Sequence, residues 1–307
     1  MSYVLPPGIG DALWALLKIG SIAPCRPVDV TIAVHSRSEI DCRSLPFLRD
    51  FDFIGNVQAE LLPIHPTDRP FNDERGRFNY CDGFYGRHHY LIPNGILERG
   101  GRIEDWRPEH PVNWNIMEHY RGLASEGADL LARAIAPYVV FYMGPESGNT
   151  VWGHNKGSLW SPGDWLNLGL KFTPHGYNIL VTGAPWDRSY FDYYIKPVLP
   201  CPPVMGLWDR IGCHEIADTI HLIKNARCFV GFQSGLGVCA HYLDVPTVMW
   251  WRPDGDSCNN DRLVCFDERM KDSWTVPGRE GRYLGLIYGR DGGPAGVMEK
   301  IRERGWL

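Results

Sequence analysis

The segment RCFVGFQSGLGVCAHYLDVPTVMWW, residues 227–251, decides the fold of this chain. A largely apolar run over Arg227–Phe232 has the length and composition of a buried strand, and a turn of small residues follows it. Val238–Asp244 then has helical length, and Pro246–Trp251 is a second apolar run. This order predicts two parallel strands joined by a helix, the repeating unit of α/β proteins.

The same alternation extends toward the N-terminus as far as residue 136. Further strand-like runs lie at Tyr138–Gly144, Tyr177–Gly183 and Val204–Trp208. Stretches of helical length accompany them, at Ser161–Phe172, Asp187–Lys196 and His214–Ala226. Mostly apolar strands that alternate with helices predict a parallel sheet covered on both faces. We therefore expect a doubly wound α/β domain over residues 136–275.

The first 135 residues predict a second, less regular α/β domain, with a boundary near Arg133–Pro137. Strands are expected at Ser2–Leu5, Val28–His35, Val57–Ile64 and His88–Ile92, and helices at Asp11–Ile19 and Arg37–Phe51. Proline and glycine concentrate in residues 63–86 and 93–111, which predicts long loops. The two domains are expected to face a cleft. In the C-terminal segment, residues 276–307, a helix at Ala295–Arg304 is expected to pack back on the first domain.

Composition excludes several classes of protein. A net charge of −5 over 307 residues gives no general attraction for nucleic acid. The nine cysteines form an odd set without a C-x-x-C pair, which is typical of reduced thiols in a cytoplasmic protein. No apolar run reaches the roughly 18 residues that a membrane span needs, and the N-terminus lacks the pattern of a secretory signal. We therefore expect a cytoplasmic protein without a membrane span.

Metal dependence is not expected. The two D-x-D triplets, Asp50-Phe51-Asp52 and Asp254-Gly255-Asp256, are no more than chance would place in a chain with this much aspartate. His88-His89 lacks a third ligand at helical spacing.

The first strand is followed by a glycine-containing turn, Gly8-Ile9-Gly10-Asp11, and then by a helix. Glycines at such a junction let the backbone approach a ligand beyond the carboxyl end of the strand. Asp11 has two interpretations at this position. Its carboxylate either faces the ligand or caps the helix by accepting a backbone N–H.

Three later loops also follow predicted strands. Gln233-Ser234-Gly235-Leu236-Gly237 opens a helix, so its backbone N–H groups suit a phosphate, although a tight packing turn would have the same composition. The Gly144–Gly148 loop is polar and follows a strand at the same predicted edge. Arg252 follows the strand Pro246–Trp251, where it would either neutralise a diphosphate or lie in a solvated turn.

These elements, in this order, resemble family nine of the glycosyltransferases, which contains the bacterial heptosyltransferases and has the GT-B fold of two Rossmann-like domains. The resemblance covers the first twenty residues and nearly all of 136–252. It rests on Gly10-Asp11, the W-S-P-G-D-W sequence at 160–165, the L-V-T-G-A-P sequence at 180–185, Ile211-Gly212 with Glu215, and the V-G-F-Q-S-G sequence at 230–235.

The resemblance implies a role for each matching residue. Asp11 would be the general base, and Ser234 with Gly235 would cradle the donor diphosphate. The other expected donor contacts are Gly144, Lys156, Gly183, Gly212, Glu215, Gln233, Gly237 and Arg252. The expected acceptor contacts are Gly10, Arg87, His88, Arg102 and Trp106. The chain departs from the family at Gln233, where an acidic residue is usual, and at Ser158-Leu159, where a lysine is usual and for which Lys156 is the nearest replacement.

The sequence thus predicts a metal-independent, inverting glycosyltransferase that needs no cofactor beyond its nucleotide-sugar co-substrate. The acceptor is a hydroxyl of a glycan or a small molecule. Three alternatives remain open at this stage: transfer to a modified base in DNA, epimerisation of a sugar nucleotide, and binding of a nucleotide sugar without catalysis. The sequence leaves the oligomeric state open.

Overall fold

The computed structural model describes residues 2–5, 8–22, 27–34, 42–61, 89–90, 103–105, 109–143, 162–192, 196–198, 206–251, 271, 275–287 and 290–307. The chain divides into two compact units, one built on Met1–Gly122 and the other on Leu123–Cys258 with Trp274–Leu307. No helix within these ranges is long and apolar enough to cross a membrane. The cysteines that fall within them, Cys42, Cys213, Cys228 and Cys239, are free thiols.

The first unit contains a parallel sheet with the strand order β3-β2-β1-β4. Its strands are β1 (Ser2–Leu5), β2 (Val28–Val34), β3 (Ile54–Leu61) and β4 (His89–Tyr90). Its helices are α1 (Ile9–Ile22) and α2 (Leu45–Arg49), with single 3-10 turns at Ile103–Asp105 and Ile116–His119. The predicted parallel α/β sheet of the first domain is therefore confirmed.

Helix α1 is buried along most of its length and carries a buried charge. Residues Ala12–Leu17 and Ile19 have no exposed surface. The Lys18 side chain is only 1% exposed, and its Nζ donates hydrogen bonds to the backbone oxygens of His110 (2.7 Å) and Glu104 (3.2 Å). These carbonyl oxygens replace the hydrogen bonds to water that the Lys18 side chain loses on burial.

The second unit contains a six-stranded parallel sheet with the order β10-β9-β8-β5-β6-β7. Its strands are β5 (Tyr138–Tyr142), β6 (Asn178–Val181), β7 (Leu207–Asp209), β8 (Cys228–Phe232), β9 (Thr247–Trp251) and β10 (Tyr283–Ile287). Its helices are α3 (Glu126–Ala134), α4 (Pro162–Phe172), α5 (Arg188–Tyr190), α6 (Ile216–Lys224), α7 (Gly235–Tyr242) and α8 (Pro294–Glu303). Single 3-10 turns lie at Thr173–His175, Pro185–Asp187, Lys196–Val198 and Glu280–Arg282. The doubly wound domain is confirmed, and β10 is an additional strand that the sequence interpretation missed.

Both faces of this sheet are covered. On one face Val139 and Phe141 pack with Trp165 and Phe172 of α4, and the Phe141 and Trp165 ring centroids are 5.5 Å apart. On the other face Val140 packs in a cluster that includes Leu222 of α6. All five residues of β5 are consequently buried, which explains why this strand is apolar at consecutive positions.

The expected domain boundary lies too far along the chain. Helix α3 was assigned to the first domain, but Ala132 and Ile135 pack in the same cluster as Tyr138 and Leu180 of the second sheet. The second unit accordingly begins at Leu123. The apolar face of α3 is buried against this sheet, which makes the helix part of the unit that follows it.

The C-terminal helix also differs from the prediction. It was expected to pack on the first domain, but Val297, Met298 and Ile301 of α8 belong to the core cluster that contains Trp165 and Leu168 of α4. Trp306 extends the same cluster. Its indole Nε1 donates to the Gly281 oxygen (3.2 Å), and its own backbone oxygen accepts from Arg227 Nε (2.7 Å).

We predict that Trp306→Ala destabilises the second unit by about 3–5 kcal/mol, because it leaves a cavity where a 4% exposed indole packs. The free energy of unfolding can be measured by denaturant titration. Trp208→Ala is the matched control, since Trp208 is 37% exposed and its loss should cost less than about 1 kcal/mol. Equal losses in the two variants would contradict the assigned packing.

Helix α7 contains a buried neutral histidine. The His241 side chain is 1% exposed, its Nε2 accepts a hydrogen bond from the Val276 N–H (2.9 Å), and its ring centroid is 4.9 Å from that of Tyr283. Burial is the largest cause that lowers the pKa of His241 to about 4, and the positive charge of Arg279 is the next. An unfolded histidine titrates near pH 6.5, so below that pH the unfolded chain binds the proton more readily than the folded chain.

We therefore predict that the contribution of His241 to stability is intact above pH 6.5 and is lost progressively as the pH falls to about 4, by about 3 kcal/mol in total. His241→Gln keeps an acceptor near the Nε2 position but does not titrate, so its stability should depend less on pH over this interval. His175→Gln, at an exposed histidine, is the control. The prediction fails if the wild type and His241→Gln lose stability in parallel between pH 6.5 and 4.

Candidate functional site

The strand order of the second sheet indicates where a candidate ligand site lies. From β5 the chain proceeds to β6 and β7 on one side, and from β8 to β9 and β10 on the other. Strands β5 and β8 are neighbours in the sheet, with Val139 paired with Cys228 and Tyr142 with Gly231. Connections that diverge in this way leave a crevice beyond the carboxyl ends of the two strands, where open α/β sheets bind ligands.

Helix α7 begins at this crevice, directly after β8. Ser234 is its N-cap, with an extended backbone (φ −163°, ψ 161°), and its Oγ accepts the Gly237 N–H at 3.1 Å. In the described part of the chain, the N–H groups of Gly235 and Leu236 have no hydrogen-bond partner. Two free N–H groups at the positive end of a helix dipole suit an anion such as phosphate.

Gly237 allows α7 to pack closely against the sheet. A Cβ at this position would lie 2.4 Å from Met249 Sδ, so its absence lets α7 lie close to the sheet. Its N–H is already bound to Ser234 Oγ. Gly237 therefore has a packing role, and its N–H is already used by Ser234. The tight packing turn that the sequence offered as one interpretation is present, and it leaves the N–H groups of Gly235 and Leu236 available to an anion. Donor binding at Gly235 and Gly237 stays a prediction.

Gln233 follows β8 and immediately precedes this cap. Its backbone N–H donates to the Trp250 oxygen (2.9 Å), and its side chain is half-buried and makes no hydrogen bond to any described residue. The backbone thus holds Gln233 at the crevice, while the polar atoms of its side-chain amide remain available to a ligand.

The loop after β6 is braced by a buried carboxylate. Asp187 is 4% exposed, and its Oδ2 accepts hydrogen bonds from the Ala184 N–H (2.8 Å) and from the Tyr142 hydroxyl (3.4 Å). Gly183 lies against this carboxylate, since a Cβ there would be 3.0 Å from Asp187 Oδ2. The loop that contains Gly183 is consequently fixed at the carboxyl edge of the sheet.

The loop Arg210–Glu215, which follows β7, is attached to the previous loop. The Gly212 N–H donates to the Gly183 oxygen (2.9 Å). Gly212 has φ 67°, in the left-handed region, and a Cβ on it would lie 2.9 Å from Pro185 Cα, so only glycine fits without strain. Arg188 adds two hydrogen bonds of 2.5 Å, to Asp209 Oδ2 and to the Ile211 oxygen.

Glu215 ends this loop at the N-cap of α6. Its backbone oxygen accepts from the Thr219 N–H (3.0 Å) and hydroxyl (3.1 Å), whereas its side chain makes no cap hydrogen bond and is exposed. The predicted residues therefore all lie at one edge of one sheet, in the loops that follow its strands or, for Gly235, at the first residue of α7: Gly183, Gly212, Glu215, Gln233, Ser234 and Gly235.

At the start of α1, the structure places the backbones of Gly10 and Asp11 inside the helix. The helix begins at Ile9, and the Ala12 N–H donates to the Gly8 oxygen (2.8 Å). Asp11 is thus the third helical residue and Gly10 the second, so Asp11 does not occupy the cap position. The roles of Asp11 as general base and of Gly10 as an acceptor contact stay predictions.

Seven of the predicted site residues lie outside the described residues: Gly144, Lys156, Arg252, Arg87, His88, Arg102 and Trp106. Their assignments stay predictions.

The D-x-D triplet at residues 50–52 has a structural role. Asp50 accepts a hydrogen bond from the Tyr120 hydroxyl (3.0 Å), and Asp52 pairs with Arg121 (2.6 Å) and His119 (3.0 Å). Among the residues that the structure describes, no group of three His, Cys, Asp or Glu side chains is arranged to hold a metal ion. Metal independence stays a prediction.

A polar cluster beside the site was missed by the sequence interpretation. The Asp218 carboxylate accepts hydrogen bonds from the Ser125 N–H (2.6 Å) and hydroxyl (2.9 Å), and it lies 3.6 Å from His214 Nδ1. His214 and Asp218 are four residues apart, a spacing that places them on one side of a helical turn and was a usable signal. No sequence pattern indicated Ser125.

Comparison with known structures identifies the fold. The ADP-heptose lps heptosyltransferase II of E. coli is similar over 99% of this chain and 97% of its own, with a TM-score of 0.60 and 15% sequence identity. A family 9 glycosyl transferase of Veillonella parvula is similar over 99% and 96%, with a TM-score of 0.54 and 11% identity. The E. coli heptosyltransferase WaaC, solved with ADP, is similar over 99% and 98%, with a TM-score of 0.52 and 12% identity.

No family model matches the sequence, and no curated protein matches it. The likeness therefore comes from the arrangement of helices and strands, in both units and over nearly the whole chain. The predicted resemblance is confirmed at this level: the chain has the GT-B fold of the heptosyltransferases and of glycosyltransferase family nine.

Proposed function

We propose that this chain is a glycosyltransferase that transfers a sugar from a nucleotide-activated donor to an acceptor hydroxyl, with inversion and without a metal ion. The observation that carries the proposal is the start of α7, where the N–H groups of Gly235 and Leu236 have no partner among the described residues, at the diverging point of a sheet with the heptosyltransferase fold. Two of the similar structures are named for ADP-heptose or were solved with ADP, which supports a nucleoside diphosphate sugar as the donor class.

The strand order supports a placement for the donor. The diphosphate binds the N–H groups of Gly235 and Leu236 beyond β8, and the nucleoside extends over β5 and β6 toward the loop after β7. Strands β8 and β7 are three places apart in the sheet, which at about 4.8 Å per strand is roughly 14 Å. An extended nucleoside diphosphate can bridge this separation.

The same N–H groups assist departure of the donor diphosphate. As the bond between the anomeric carbon and the diphosphate oxygen breaks, negative charge grows on that oxygen. Fixed backbone dipoles at the start of α7 stabilise this charge without having to reorient. In the proposal, Lys156 and Arg252 add positive charge at this step.

Asp11 is the proposed general base. Its carboxylate removes the proton from the acceptor hydroxyl while that oxygen forms a bond to the anomeric carbon, on the face opposite the leaving group. The products are the glycosylated acceptor, with inverted configuration, and a nucleoside diphosphate. The acceptor is a hydroxyl of a glycan or a small molecule, and no observation on the described residues favours a DNA acceptor.

The function is tested by incubating the purified protein with a panel of nucleotide sugars and following release of nucleoside diphosphate. A glycosyltransferase should hydrolyse its donor slowly without acceptor and faster with one. Binding should also raise the melting temperature, since a ligand at 100 times its Kd adds about 2.7 kcal/mol of stability. An isomerised sugar nucleotide without release would indicate an epimerase, and binding without any turnover a non-catalytic protein.

A charge placed at Ser234 tests the diphosphate site. Aspartate and asparagine both cap helices as well as serine does, so Ser234→Asp and Ser234→Asn should each unfold close to the wild type. Ser234→Asp adds a negative charge beside the phosphate, so it should weaken nucleoside diphosphate binding at least about tenfold, or ~1.4 kcal/mol, in calorimetric titrations. Affinity for the uncharged nucleoside should not change.

Ser234→Asn, which is neutral, controls for the change in shape and should retain more affinity for the nucleoside diphosphate than Ser234→Asp. If Ser234→Asp weakened the nucleoside and the nucleoside diphosphate equally, the phosphate would lie elsewhere.

Asp11→Asn tests the general base. The amide cannot take up the proton of the acceptor, so turnover should fall by ~10²–10⁴-fold, while donor affinity stays within a few-fold. Loss of a charge in the first turn of α1 should cost no more than about 1 kcal/mol of stability. Asp129→Asn, which removes a charge from the first turn of α3, is the control and should keep normal turnover. Near-normal turnover in a folded Asp11→Asn variant would require a different base.

A further inference from the structure

We propose that Asp218 is a positioning residue for nucleotide binding, and that it acts by fixing the end of the loop Arg210–Glu215 to the first turn of α3. The inference rests on the proposed function, because it assigns this loop to the nucleoside of the donor. Asp218 itself does not contact the ligand in this proposal.

The contacts of Asp218 are unusual for a carboxylate in the first turn of a helix. Such a group usually remains in water and interacts with the helix dipole, but Asp218 is only 9% exposed. Both of its oxygens are used: Oδ1 accepts the Ser125 N–H (2.6 Å), and Oδ2 accepts the Ser125 hydroxyl (2.9 Å) and lies 3.6 Å from His214 Nδ1. These contacts replace the water that a buried charge loses.

The Ser125 partner gives the loop a rigid attachment. Ser125 is the N-cap of α3, and its Oγ accepts the Ala128 N–H (3.2 Å) while its hydroxyl proton is donated to Asp218. The cap of α3 and the first turn of α6 are therefore joined through one hydroxyl and one carboxylate.

His214 links this attachment to the loop. Its Nε2 is buried and has no hydrogen-bond partner in the structure as described, and its Nδ1 lies 3.6 Å from Asp218 Oδ2, so Asp218 is the polar group that faces the ring. The other end of the loop is fixed separately, by the hydrogen bonds of Arg188 to Asp209 and Ile211.

Between its two attachments the loop is open to solvent at Gly212, Cys213 and Glu215. A loop that is held at both ends and exposed between them presents its ligand-binding groups in one arrangement. Gly212 stays bonded to Gly183, so release of the Asp218 end would let residues 213–215 sample more arrangements, and binding would have to restrict them again. Loss of the Asp218 contacts would therefore lower the affinity for the nucleotide and leave the rate of the chemical step unchanged.

The protein contains a matched control for Asp218. Asp129 of α3 and His221 of α6 form a second carboxylate–histidine pair between the same two helices, with 3.4 Å between Asp129 Oδ1 and His221 Nε2. This pair lies about one turn further along both helices, away from the loop. Asp129→Asn thus weakens the same helix contact without releasing His214.

The experiment compares Asp218→Asn with Asp129→Asn. Dissociation constants for ADP, GDP, UDP and CDP are measured by calorimetry, and kcat and KM for release of nucleoside diphosphate are measured on the sugar nucleotide that the wild type hydrolyses. We expect Asp218→Asn to raise the Kd and the donor KM by about five- to tenfold, with kcat within twofold. Asp129→Asn should leave all three values within twofold of the wild type.

Hydrogen exchange at the backbone amides of residues 212–215 gives a readout that does not depend on any ligand. Exchange should be faster in Asp218→Asn than in the wild type and unchanged in Asp129→Asn. Ser125→Ala should reproduce the effect, and Ser125→Thr, which keeps the hydroxyl, should restore normal exchange. The variants Ser125→Ala and Ser125→Thr also test the proposal if Asp218→Asn does not fold.

The outcomes separate this proposal from the proposed function. If the wild type binds no nucleoside diphosphate, the proposed function fails, and the positioning role for nucleotides fails with it. If the wild type binds one and Asp218→Asn binds it equally well, the positioning role alone is wrong. Unchanged exchange at residues 212–215 would also overturn it, as would equal losses of affinity in Asp218→Asn and Asp129→Asn.

Discussion

The second unit depends on one constraint, the burial of its parallel sheet on both faces. Every residue of β5 is buried, and successive side chains enter two different hydrophobic clusters. Each face therefore needs its own layer of helices. Crossovers between parallel strands are right-handed, so the strands that follow β5 on its two sides place their helices on opposite faces. The crevice between β5 and β8, with the start of α7 beside it, is a consequence of how the core is packed.

The sequence predicted best those elements whose signal is local. The apolar run Tyr138–Gly144 contains β5, and the segment 227–251 contains β8, α7 and β9. The domain to which α3 belongs and the packing partner of α8 were predicted wrongly, for a physical reason. An amphipathic pattern shows that a helix buries one face, but it does not show which sheet covers that face. Strand β10 was missed because Gly285 interrupts its apolar run and irregular sequence precedes it.

The same distinction applies to the candidate site. Ser234 and Gly235 were predicted because a strand, a turn of small residues and a helix follow one another directly. Asp218 and Ser125 are 93 residues apart, and their hydrogen bond exists only because the fold brings α3 beside α6. The residues predicted from local sequence and the residues that only the fold brings together also differ chemically. Gly235 and Leu236, which lie in one local turn, leave backbone N–H groups unbonded in the described part of the chain, whereas Asp218 and Ser125 join two helices through a side-chain carboxylate.

Lys18 has a consequence for how the first unit folds. Its Nζ donates to the carbonyls of Glu104 and His110, which come 86 and 92 residues later in the chain. Until these segments are in place, burial of Lys18 with α1 would leave it without these two hydrogen bonds in an apolar interior. Burial of the N-terminal helix is thus coupled to the arrival of a distant segment. Contacts between residues so far apart in the sequence slow folding, and they couple the opening of α1 to that of the segments that contain Glu104 and His110.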